Sequence, residues 1–353
     1  ADIFCTLQEG IRGKRAVEWK LVDALAPRSR FAEVIESRAR ALSAEASERP
    51  GPGVEWKPLE VAEEENLRRY RYVTVEMDRE ARTAVLTVEG PGEGEPETAD
   101  EFRKRGADAW ALRAFRELDN ALLHLRLNED TLGVLLLKTR GEVDRVLEVD
   151  RVLDRHRDDW FIREILFHQA RVLRRLDLTA RSLFALVEPG SAFAGSLFEL
   201  LLAADRSYVL DEGEQSRVAL SPLNAGDYPM SNGFTRIQAH FSGEPVSMGD
   251  LLEKERFTPS EAEQAGLVTV VLDDIDYEDE VRVAVEERVS LSPDALTGME
   301  ASLRFPGTEN ADCKIFGRLS AWQYWIFFRP NAVGEQGALK VYGKPQRPAF
   351  DWR

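Results

Sequence analysis

The stretch from Ser182 to Tyr208, SLFALVEPGSAFAGSLFELLLAADRSY, restricts the fold more than any other part of the chain. An apolar run (Leu183, Phe184, Ala185, Leu186, Val187) stops at Glu188, Pro189 and Gly190. Small residues follow (Ser191, Ala192, Ala194, Gly195, Ser196), then an apolar helix carrying one carboxylate, Glu199, and a second short run from Arg206 to Leu210. Strand, tight loop, helix and strand in this length make one βαβ unit. The first amides of a helix lack internal partners and point at whatever precedes them, so a helix start among small residues can hold an oxyanion. The same small residues also let a helix lie close against a sheet with no ligand involved.

The flanks extend this unit into a layer. Trp110, Leu112, Phe115, Leu118, Leu122 and Leu125 predict a helix from about Ala107 to Leu127, Gly133–Lys138 reads as a buried strand, and Trp160–Leu176 as another helix. Residues 107–210 thus alternate helix and strand, the pattern of an α/β protein with a largely parallel sheet. Alternation at 70–77 and 83–88 predicts a hairpin. Residues 141–158 are heavily charged and read as a solvated surface segment. Residues 218–242 read as loop, then helix. Thr258-Pro259-Ser260-Glu261 is a capping box with Pro at the first helical position, and Gly266 is placed to end that helix.

Charge and composition exclude several classes. A net charge of −16 over 353 residues argues against nucleic acid and anionic membranes as partners. The longest apolar run, 192–204, is interrupted by Ser196 and Glu199 and is too short to span a bilayer. Two cysteines, Cys5 and Cys313, give no disulfide framework and point to a reducing, cytoplasmic compartment. The four histidines, 124, 156, 168 and 240, lack metal-ligand spacing, so no metal site is expected. Gly190–Ser196 has the spacing of a phosphate loop without its Lys, and no Gly-x-Ser-x-Gly elbow occurs.

The chain also repeats itself. RAVEWKLVDALAPRSRFAEVIESRA near the start resembles EAEQAGLVTVVLDDIDYEDEVRVAVEER later, with Ala16 and Ala262, Leu21 and Leu267, and Val22 and Val268 all 246 positions apart. In each, a short helix runs into Leu-Val, a strand-like segment (Leu21–Leu25 in the first) and an amphipathic helix, Arg30 to about Ala46 in the first. Residues 47–53 contain Pro50, Gly51, Pro52 and Gly53 and mark a boundary. The reading divides the chain into the tail end of a first unit (1–46), a linker (47–69), a complete second unit (70–284) and a C-terminal helical region (285–353). Residue 1 is Ala; together with the half-repeat this leads us to expect a first copy preceding it.

These residues resemble the crotonase (enoyl-CoA hydratase/isomerase) superfamily. The resemblance rests on strand, Gly-rich turn and Glu-Leu helix at 183–208, on Gly226, Pro229, Gly233 and Arg236 in a Gly-x-x-Pro-x-x-x-Gly-x-x-Arg pattern, and on Ala262–Val268. It implies a crotonase-like ββα spiral with a mostly parallel sheet and a helical C-terminal tail. It further implies a CoA-thioester substrate, no metal or redox cofactor, and a homodimer. In the family, two amides hold the thioester oxyanion and two acids handle water and protons. Glu199 matches the first acid and Gly195 lies near the oxyanion glycine, with one extra residue between them. Leu223 stands after Pro222 where the second acid belongs, and TRGEVDRVLEVD follows Lys138 in place of the first oxyanion turn. The expectation is a degenerate copy, with the working site in the copy that precedes it. Trp322, Gln323, Trp325, Arg329 and Asn331 of the tail are candidates for closing that other site, or else are core aromatics and their neighbours. Two rivals stay open: a non-catalytic interaction module, and an independent hydratase pairing Glu199 with an acid such as Asp227.

Overall fold

The computed structural model describes residues 2–46, 53–241, 248–304 and 309–352. Two compact units result, 1–53 and 54–353. Most of the 47–53 boundary segment lies outside the described residues. The first unit contains a short helix, Gly13–Glu18, and α1 (Phe31–Glu45). The apolar face expected of α1 forms, but Phe31, Ile35 and Leu42 are all exposed.

The second unit is built on an eight-stranded sheet. Its strands are β1 (Ala62–Glu64), β2 (Leu67–Arg69), β3 (Val73–Asp78), β4 (Thr83–Glu89), β5 (Val134–Arg140), β6 (Ser182–Val187) and β7 (Arg206–Leu210), with β10 (Val270–Leu272) at the far edge. The intervening β8 (Val218–Ala219) and β9 (Arg256–Phe257) form a separate two-stranded ladder. Strands β1 to β4 pair antiparallel, and β4, β5, β6, β7 and β10 are parallel. The predicted hairpin is β3–β4. Part of the segment read as linker, 62–69, is sheet, because β2 finds β3 to pair with.

The main helices of the connections are α2 (Trp110–Asn128), α3 (Val143–Arg155), α4 (Trp160–Asp177) and α5 (Gly195–Leu202). They bury Trp110, Phe115, Ile165, Leu173 and Phe198 with one face of the sheet. After shorter helices that include the predicted Pro259–Gln264, two longer ones follow, α6 (Tyr277–Val289) and α7 (Pro293–Leu303). Tyr277 and Ala284 of α6 pack on the other face, against Phe184, Leu186 and Tyr208. The segment 141–158 departs from expectation. Its charges other than Asp150 line the outer side of α3, while Val143, Val146, Leu147, Asp150 and Leu153 share the buried side. None of the described helices is long and apolar enough to cross a membrane.

The repeat holds at the level of backbone geometry. Leu21 N–H donates to Ala16 O (2.9 Å), as Leu267 N–H does to Ala262 O (2.8 Å). Lys20 N–H donates to Val17 O and Gly266 N–H to Glu263 O, both at 2.9 Å. Both helices end on a left-handed residue: Lys20 at φ +55° and Gly266 at φ +70°. This is the usual way a chain leaves a helix, at some strain for a residue with a Cβ. Beyond that point the copies diverge. Residues 270–272 become β10 because β7 offers its edge, whereas 21–25, expected to be strand-like, form bends and coil. Helix α6, whose first residue corresponds to Phe31, has a sheet to lie on.

Candidate functional site

The start of α5 lies at the C-terminal edge of the parallel strands, where open α/β sheets gather their ligands. Its first residue, Gly195, has φ +45°. The amide of Ser196 donates to Asp150 Oδ2 at 2.7 Å, and Ser221 Oγ donates to the same oxygen at 2.8 Å. Asp150 comes from α3 and is fully buried. A carboxylate at a helix N-terminus satisfies an unpaired amide and opposes the positive end of the dipole. The amide that could hold an external oxyanion is therefore held by the protein's own acid. The extra residue between Gly195 and Glu199 has a structural counterpart: the bonded amide is that of Ser196, while Gly195 gives Asp150 room to approach. A Cβ on Gly195 would stand 2.0 Å from Asp150 Oδ2.

Glu199, one turn further along, faces inward with no exposed surface. Its Oε1 accepts from Asn224 Nδ2 (2.8 Å) and its Oε2 from Arg236 Nη1 (2.9 Å). Arg236 then reaches Asp177 through Nε to Oδ1 (3.0 Å) and Nη2 to Oδ2 (2.7 Å), a two-point fork. Asn224 also donates to Gly195 O (2.9 Å) and accepts from Ser221 N–H (2.8 Å), which ties the Asp150 and Glu199 halves together. Burial favours the neutral forms of Glu199 and Asp177 and pushes both carboxyls up, while Arg236 pulls them back. Burial alone would lower Arg236, but Asp177 and Glu199 more than reverse it and keep the guanidinium charged.

Leu223 is buried in the 3₁₀ turn Pro222–Ala225, so no carboxylate enters from that side. Asp227 is not brought to Glu199: its carboxylate pairs with Arg157 at 2.9 Å. The tail residues gather elsewhere in the unit. Trp322, Gln323 and Asn331 line an apolar cleft of about 590 Å³ together with Met299, Ile326 and Phe327. Trp325 meets Trp322 edge to face, with centroids 5.0 Å apart, and Arg329 lies over Trp325 while donating to Asp294 Oδ1 at 3.0 Å. Asn331 is bonded both ways to the backbone of Asp351. No group of three or more His, Cys, Asp or Glu among the described residues is placed to hold a metal.

Four members of the network, Asp150, Asp177, Ser221 and Asn224, were missed from sequence. Asp150 carried a readable signal: it interrupts the apolar stripe 143, 146, 147, 153 of an otherwise amphipathic helix. Asp177, at the end of α4, carried none. Arg236 was noticed only as a pattern match.

Asp150 also gives the site a pH dependence. Burial lifts its carboxyl to about 7, against the hydrogen bonds from Ser221 and Ser196 that lower it, with Glu199 nearby adding to the rise. The folded state thus holds a proton between about pH 4 and 7 that the unfolded chain has released. The associated stability is complete below that window and is lost as pH rises through 7, by on the order of 1.4 kcal/mol per pH unit at most. Glu300 of α7, also lifted to about 7 by burial and by Asp205, adds in the same direction. Thermal unfolding followed from pH 5 to 8 is expected to show Tm falling with pH, and Asp150→Asn to flatten part of that fall. An unchanged slope in the variant would mean that Asp150 does not titrate there.

This architecture is the crotonase fold. An enoyl-CoA hydratase of Geobacillus kaustophilus HTA426 superposes with a TM-score of 0.57 at 15% identity, covering 81% of this chain and 98% of that one. An enoyl-CoA hydratase of Mycobacterium smegmatis does so with a TM-score of 0.56 at 14% identity, covering 79% and 98%. No protein-family profile matches the chain. In sequence, the chain is 48% identical over its whole length to the benzoyl-CoA-dihydrodiol lyase of Aromatoleum evansii, and it spans 64% of that protein.

Proposed function

We propose that the chain is the C-terminal part of a longer lyase that opens the ring of 2,3-epoxybenzoyl-CoA to an open-chain semialdehyde CoA thioester and formate, in aerobic benzoate degradation. In this reading, the second unit is scaffold and dimer surface, and the reacting acids lie in a crotonase copy that precedes residue 1. The identity to the dihydrodiol lyase supports the substrate class. The observation that carries the division of labour is the sealed start of α5: Asp150 occupies the Ser196 amide and Arg236 occupies Glu199, and both acids are fully buried. Two further features support it. Helix α1 presents Phe31, Ile35 and Leu42 outward where its counterpart α6 lies on a sheet, as a helix waiting for its own sheet would. Phe316, Tyr324, Phe328 and Tyr342 are exposed in the tail region, as expected of a surface covered in an assembly. The tail residues Trp322, Gln323, Trp325, Arg329 and Asn331 then border the neighbouring copy's site. The sealed site equally suits a non-catalytic interaction module, and turnover separates the two.

The experiment measures ring opening of the aromatic epoxide thioester by residues 1–353 alone and by a longer protein that includes the upstream coding sequence. The expected result is turnover by the longer protein only, reduced in its Arg329→Ala variant. Substantial turnover by residues 1–353 alone would place the chemistry in the second unit. Absence of any upstream crotonase copy would remove the proposal.

A further inference from the structure

At the opposite edge of the sheet, where β5 and β6 begin, three guanidiniums line one cleft of about 330 Å³: Arg82, Arg126 and Arg181. Arg82 is buried and the other two are half-buried. In a chain of net charge −16, arginines at such positions ordinarily face carboxylates, but none of these three forms an ion pair among the described residues. Their recorded hydrogen bonds go to backbone carbonyls instead. Arg181 donates to Leu132 O and Leu125 O (3.1 and 2.7 Å) and to Glu129 O. Arg126 donates to Arg175 O and Leu178 O (3.0 and 3.3 Å), and Arg82 to Thr131 O (3.0 Å) and Val289 O.

Those carbonyls include the ends of α2, α4 and α6, whose dipoles contribute roughly half a negative charge each. One exposed acid, Asp130, also lines the cleft. Together these leave about half a positive charge of the three uncompensated. Burial pushes Arg82 down to about 10, and burial with Arg126 beside it does the same to Arg181, so the cluster is held at an electrostatic disadvantage that an anion would relieve. Donors remain for one. Arg82 Nη2 has no hydrogen-bond partner among the described residues and faces Gly133, where a Cβ would stand 3.2 Å away. Arg126 Nη1 and Arg181 Nη1 are likewise without one. The ring of Trp352 lies over the Arg82 guanidinium at 3.5 Å from its centroid and shields it from water.

We propose that this cleft is a binding site for a phosphate-class oxyanion, either the free ion or the phosphate group of a larger ligand. Planar guanidiniums with unshared N–H groups match its oxygens in number and direction. The site is independent of the chemistry proposed above, since it lies at the other edge of the strands.

The test is calorimetric titration of the intact chain with orthophosphate and, separately, with ADP, each at ionic strength matched with sodium chloride. Saturable binding is expected, weakened about tenfold or more in Arg126→Gln, as for loss of a charge-assisted contact. Asp130→Asn is expected to tighten it several-fold; that exposed residue makes no hydrogen bond among the described residues, so the variant guards against misfolding as an explanation. Orthophosphate binding as tightly as ADP identifies the free ion, and tighter ADP binding identifies a phosphorylated ligand; either supports the site. No saturable binding of either, or binding indifferent to both substitutions, overturns it.

Discussion

Arg236→Ala is expected to destabilise the second unit by about 3–5 kcal/mol, the loss measured when one partner of a buried ion pair is removed. The magnitude follows from what is left behind. Asp177 and Glu199 are both buried, and Arg236 is bonded to both of them. Without it, two desolvated carboxylates face each other and must take up protons or water. Arg236→Lys keeps the charge but not the fork to Asp177, so it is expected to fall between Ala and wild type. Urea denaturation of the purified chain measures both. A loss under about 1 kcal/mol for the Ala variant, the level of an exposed pair, would show that the trio is not the anchor described here.

Gly195→Ala is expected to be comparably damaging, through backbone and space together. A left-handed conformation costs a residue with a Cβ about 1–2 kcal/mol. The added carbon would also meet Asp150 Oδ2 at 2.0 Å, and that oxygen is fixed by Ser196 N–H and Ser221 Oγ. Moving it strands a buried amide, a further loss of roughly 1–3 kcal/mol. Gly190 supplies the control. It too has positive φ, +80°, but a Cβ there meets nothing within 4 Å, so Gly190→Ala is expected to lose only about 1 kcal/mol. Equal losses at the two positions, read by the same denaturation, would mean that the approach of Asp150 is not what fixes Gly195.

The order of elements was readable because it depends on local pattern. The apolar run at 183–187, the alternation at 70–77 and 83–88 and the capping box at 258–261 each named their own structure. What sequence did not give was pairing. Residues 21–25 and 270–272 look alike, yet only the second has a strand edge to join. The charged helix 143–155 hid its buried face because the charges outnumber the stripe. Glu199 and Gly195 were picked out by motif, but their surroundings depend on Asp150, Asp177, Asn224 and Arg236, between 22 and 49 positions away from Glu199. A carboxylate in an apolar helix looks the same on paper whether it meets a substrate or an arginine. The three arginines of the opposite edge were not legible either, since only the fold brings 82, 126 and 181 to one cleft.

Under the proposed division of labour, the carboxylate clasped to the Ser196 amide decides what giving the second unit a turnover of its own would take. Installing a glutamate in place of Leu223 would supply an acid, but in that reading a thioester carbonyl would still have nowhere to dock, because the Ser196 amide is filled from inside. The tenant at 150 would have to leave first, and with it would go a brace that joins three segments of the fold.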